Sequence, residues 1–115
     1  MATSAMSLEG KVLFVRDAAL REFIKAVVFH LPERIISNPE VSWLTQACFT
    51  WIDDHENMPP GLKDIEFDGW LLGLQRKKAF REYLQWLKFL PPPSAEYDLD
   101  VVVGVIDELE RKLFS

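Results

Sequence analysis

Lys11-Val12-Leu13-Phe14-Val15-Arg16 is the stretch on which the fold turns. Its four consecutive apolar residues are too few for a helical or a strand period to declare itself, so the run either leads into a helix or stands as a lone strand. The rest of the chain weighs toward helix. Asp17 is a good N-cap residue, and Leu20, Phe23, Ile24, Val27, Val28 and Leu31 follow it at i, i+3, i+4, i+7, i+8 and i+11, one face of a helix that Pro32 is expected to close. On the other side, Met1–Gly10 is rich in small residues and is expected to be a flexible tail.

A second helix is expected from Asn38, with Pro39 in the first turn and Glu40 beside the positive helix end, and with Val41, Leu44, Cys48, Trp51, Ile52 and His55 on one face. Asn57–Gly61 is turn punctuation, after which Leu62, Ile65 and Phe67 read as anchors in an irregular segment. A third helix is expected from about Asp68 to Leu90, closed by Pro91, Pro92 and Pro93. Its apolar face changes phase between Gln75 and Lys78, which predicts a kink, a break or a helix apolar on two sides. Asp98 or Asp100 then caps a fourth, whose face is Val102, Val105, Ile106, Leu109 and Leu113. Four amphipathic segments with short, proline-marked connections predict one all-α domain over residues 1–115, a small four-helix bundle or a bundle-like orthogonal helical domain.

Composition narrows the function classes. At 115 residues, with 49% apolar and 27% charged, the chain is a globular domain able to bury a core without staples, and it is neither disordered nor collagenous. The lone thiol, Cys48, makes no internal bridge, which favours a reducing compartment. No apolar run approaches the ~20 residues that span a bilayer, and Met1–Leu8 lacks the build of a secretory signal. A soluble, cytoplasmic protein with no membrane partner is therefore expected. The net charge of −5 disfavours indiscriminate binding to polyanions.

Little in the sequence looks catalytic. Cys48 and His55 lie two turns apart on one helical face, and thiolate with imidazole is a zinc pair, but tetrahedral zinc needs four ligands and only His30 remains as a second histidine. No metal site, cofactor or catalytic residue is expected. Cys48 sits in mid-helix without the glycine turn or helix start that would activate a nucleophile. The five glycines are scattered and form no phosphate loop. Paired carboxylates such as Asp53 and Asp54 point apart on a helix.

Two surface features remain. Between Trp70 and Leu90 stand five cations, Arg76, Lys77, Lys78, Arg81 and Lys88, against one acid, Glu82. Lys77, Arg81 and Lys88 fall within about 40° on the helical wheel, a strip about 16 Å long that suits a phosphate backbone. The competing expectation is that this helix pairs with the acidic fourth one, since Asp98–Leu113 carries five acids and two bases. The other feature is aromatic: Phe29 and Trp43 point away from the apolar faces of their helices, and Trp70 lies outside the main stripe of its own. Aromatic anchors are enriched at protein contacts. Pro91–Pro93 lacks PxxP and PPxY spacing and reads as a rigid spacer. The expected function is thus non-enzymatic protein–protein interaction through helix surfaces, as an assembly subunit, adaptor or inhibitor, with another protein or a second copy as partner and with Phe29, Trp43 and Trp70 as contacts. The alternative is an accessory subunit of a nucleoprotein complex that touches nucleic acid through Arg76, Lys77, Arg81 and Lys88.

Overall fold

A computed structural model of the chain describes residues 2–90 and 96–114. Lys11-Val12-Leu13-Phe14-Val15-Arg16 is a strand, and so is most of the supposed tail. Thr3–Leu8 (β1) and Lys11–Arg16 (β2) form an antiparallel hairpin, and Ile65–Glu66 (β3) lies parallel to β1 on its far side, giving a three-stranded sheet in the order β2-β1-β3. The all-α bundle expected from the periodicity is therefore corrected to a mixed α/β fold, 66% helical and 13% strand among the described residues. Alternation makes the hairpin: Ser4, Met6 and Leu8 on β1 and Leu13 and Val15 on β2 point to the helical side and are buried. The reversal uses Glu9 and Gly10, both at positive φ (53° and 82°), the backbone of a tight two-residue hairpin turn.

Helix α1 (Asp17–Ser37) leaves β2 directly. Pro32 does not close it. The helix runs one more turn, because Ile35 packs against the core and Arg34 stacks on the Trp86 ring, 5.1 Å from its centroid. Asn38 caps a short 3-10 turn at Pro39–Val41 by accepting the Glu40 N–H, and α2 (Leu44–Asn57) follows. The helix expected from Asp68 begins at Gly73 instead: Phe67–Gly69 is a separate 3-10 turn, and α3 spans Gly73–Lys88. This delay is where the phase change in the apolar pattern comes from. The proposed Pro91–Pro93 spacer lies outside the described residues. Asp98 caps α4 (Leu99–Lys112), accepting from the N–H groups of Asp100 and Val101.

The core lies between the sheet and the helices. Phe67, Phe80, Trp51 and Phe114 form its aromatic centre, with ring centroids 5.6–6.3 Å apart in tilted and edge-on pairs. Aspartates fasten the sheet to what surrounds it. Asp17 accepts from the Ser4 hydroxyl (2.6 Å) and the Gly61 N–H (2.9 Å), Asp64 from the Ala5 N–H (2.8 Å), and Asp68 from the Glu9 N–H (2.9 Å). Burial works against charge on Asp17, but the Ser4 and Gly61 hydrogen bonds and Lys63 prevail and hold its carboxyl below the usual aspartate range.

Candidate protein-docking groove

Helices α1 and α2 pack side by side and leave a groove of about 410 Å³ between them on the solvent side. Val28, Leu31, Pro32 and Ile35 form one wall, and Thr45, Cys48, Phe49 and Ile52 the other. The hydroxyl of Thr45 and the thiol of Cys48 are the only polar side-chain groups among these eight residues. Apolar surface continues past the rim, since Phe49 is 65% exposed and Ile36 84%. Phe29 and Ile36 are seven residues apart on α1 and therefore share a line along it, beside Pro32. Cys48 closes the floor. Its burial pushes the thiol pKa up to about 12, so the group is a small apolar surface with no thiolate to offer a metal or an electrophile.

The three expected aromatic contacts do not share one surface. Phe29, 46% exposed, is not among the residues that line this groove and instead meets His30 and Tyr97 edge-on. Trp43 is half buried against the core, 6.1 Å from Phe80, with the Arg76 guanidinium 5.1 Å from its ring centroid. Trp70 is likewise half buried, and its carbonyl accepts from Arg76 Nη1 at 3.2 Å. Phe49, which lines the groove, and Ile36, exposed one turn beyond its lining residue Pro32, were not singled out by the sequence pattern.

The basic strip is occupied by partners within the chain. Lys77 donates to Glu9 at 2.8 Å, Lys88 to Asp107 at 2.6 Å, and Arg81 grips Glu110 through Nε at 3.2 Å and Nη2 at 2.8 Å. Two of these acids, Asp107 and Glu110, belong to α4, the acidic neighbour. A wider, shallow cleft on this side takes in Leu74, Lys77, Lys78 and Arg81, yet a phosphate entering it would compete with the Lys77–Glu9 and Arg81–Glu110 pairs.

His55 and Cys48 do not converge on a metal. Among the described residues no group of three or more histidine, cysteine or acidic side chains is placed to hold one. Near the end of α2 the helix dipole favours a protonated imidazole, but burial, with Lys63 alongside, lowers the pKa of His55. Lys63 itself caps α2 by donating to the carbonyls of His55 and Met58. His30 is buried against Tyr97, 2.8 Å from its hydroxyl, and burial lowers its pKa as well, against the opposing influence of Glu33. No described helix is long and apolar enough to cross a membrane.

The chain matches no protein-family model, no curated protein and no solved structure.

Proposed function

We propose that the chain is a non-enzymatic protein–protein interaction domain, an assembly subunit, adaptor or inhibitor, that receives the apolar face of a partner helix in the groove between α1 and α2. One observation carries this: an apolar trough flanked by Phe49, whose ring is 65% exposed although it stands beside a ready-made apolar wall. An isolated exposed aromatic is ordinary, whereas one lining an apolar groove, with the exposed Ile36 one turn beyond Pro32 on the facing helix, is the pattern of a contact surface. A helix presenting apolar residues at i, i+3, i+4 and i+7 fits a trough between two parallel walls, because its ridge of side chains is as long as the trough. The buried, unreactive thiol suits the reducing cytoplasm as its setting.

The test is co-purification of tagged protein from its native cells after nuclease treatment. Phe49→Asp and Ile36→Asp are expected to abolish recovery of the specific partner while circular dichroism and melting stay unchanged, and Lys77→Glu with Arg81→Glu to leave recovery intact. The reverse pattern, with the partner lost on nuclease treatment or on reversing the α3 charges, would replace this proposal with nucleic-acid contact.

A further inference from the structure

The edge of the sheet carries a second contact, independent of the groove. In a hairpin closed by a two-residue turn the closing residues exchange both backbone hydrogen bonds, and here that pair is Leu8 and Lys11. Lys11, Leu13 and Val15 therefore aim their N–H and C=O groups at β1, and Val12, Phe14 and Arg16 aim theirs outward. Ala5 confirms the phase: it faces Phe14 across the hairpin, and its N–H points to the far side of β1, where Asp64 takes it at 2.8 Å. Because β2 ends the sheet, the outward groups meet no further strand among the described residues. The strand keeps regular register over six residues with neither proline nor bulge, its charges stand only at its two ends, Lys11 and Arg16, and Phe14 is 71% exposed on its outer face. Helix α4 approaches β2 closely without closing over it. A groove of about 290 Å³ separates it from β2, and a Cβ added at Gly104 on its wall would meet nothing within 4 Å.

We propose that β2 is a homodimerisation edge: two copies pair their β2 strands antiparallel about a twofold axis at Phe14, which extends the sheet to six strands. The strand is complementary to itself in that register. Val12 meets the partner's Arg16, Phe14 meets the partner's Phe14, and Arg16 meets the partner's Val12, so all three outward residues of each copy exchange backbone hydrogen bonds. A shift by two residues in either direction leaves only two such pairs. Charge favours the same arrangement, because Lys11 and Arg16 differ in parity and residues directly opposite across an antiparallel pair share it. The two like charges never face each other. Shared parity also sets Leu13 opposite the partner's Val15, so both helical layers lie on one side and the buried face is continuous across the axis.

Cysteine cross-linking and sedimentation of the full chain test this. Phe14→Cys is expected to give a disulfide-linked species of twice 13.3 kDa under mild oxidation, since residues paired on the axis are within bridging reach, whereas the buried Cys48 of the unaltered chain gives none and Val12→Cys, facing arginine, gives far less. Sedimentation of the unaltered chain is expected to show dimer at concentrations on the order of 100 µM. Phe14→Pro removes an outward N–H without breaking a bond to β1 and should weaken the dimer about tenfold or more. Should that variant lose its circular dichroism signal, Phe14→Lys places two like charges on the axis and should act the same way. Phe49→Asp is expected to leave the dimer intact, so this proposal and the groove fail separately. A chain that stays monomeric at about 1 mM, a dimer that survives the Phe14 changes, or Val12→Cys cross-linking as fast as Phe14→Cys would overturn it.

Discussion

Met6→Ala tests whether the amino-terminal residues belong to the core. Met6 has no exposed surface; it sits on the central strand, opposite Leu13 on β2 and level with Ile65 on β3. The change deletes three heavy atoms beyond Cβ, a transfer loss of about 2 kcal/mol at ~0.8 kcal/mol for each methylene-sized group. The cavity left under a sheet held on both sides adds to this, so about 2–4 kcal/mol is expected in all. A domain of this size unfolds with an entropy of about 240 cal/mol/K near its midpoint, so each kcal/mol shifts Tm by about 4 °C and the variant should melt about 8–16 °C lower. Urea unfolding followed by tryptophan fluorescence and by far-UV circular dichroism measures the difference, with Lys78→Ala, an exposed site on α3, as the control. If Met6→Ala changes stability by no more than about 0.5 kcal/mol, the range of ordinary surface substitutions, residues 3–8 are a tail and the sheet is wrong.

Three further outcomes follow from the same structure. His30 and His55 both have pKa values lowered by burial, so the unfolded chain binds protons more readily; stability should be full above about pH 6.5 and fall as the pH drops below it, and a His30→Gln, His55→Gln variant should flatten urea midpoints measured between about pH 7.5 and 5. Cys48, with its thiol pKa raised to about 12, should resist a thiol reagent in the folded protein at about pH 8 and react promptly in urea; rapid labelling of the native chain would contradict its burial. Gly10→Ala forces a side chain into a left-handed turn position and should cost about 1 kcal/mol in the same urea titration, whereas Gly104→Ala, in an open helical position, should be neutral or stabilising.

The helices were legible where cap and period agreed. All five expected face residues of α4 are buried and Asp98 caps it, because a long apolar stripe and a capping aspartate are both local signals. The sheet gave no comparable signal. The inward residues of β1 are Ser4, Met6 and Leu8, with no β-branched side chain among them, its turn carries glutamate where asparagine or aspartate is usual, and β3 is two residues long and is tied to β1 through Asp64. These pairings are non-local, and single-sequence periodicity does not report them. At the surface, Phe29 is exposed as the wheel placed it, whereas Trp43 and Trp70 are half buried; Trp70 precedes α3, so helical angles do not apply to it. Phe49 and Ile36 look like scattered surface apolar residues until α1 and α2 are packed together. The cations of α3 and their pairing with the acidic α4 were both legible, and Arg81 and Lys88 do meet Glu110 and Asp107, whereas the Glu9 partner of Lys77 depended on the hairpin.

The most direct measurement of the docking claim is site-specific photo-cross-linking in the native cell, with benzoylphenylalanine in place of Phe49 on the groove or of Lys78 on the solvated face of α3. The Phe49 probe should trap one predominant polypeptide whose attachment site maps to an amphipathic helix, the adduct should disappear with Ile36→Asp, and the Lys78 probe should trap nothing comparable. Adducts that are equally diverse from both positions, or a Phe49 adduct that survives Ile36→Asp, would show that the groove between α1 and α2 does not receive a partner.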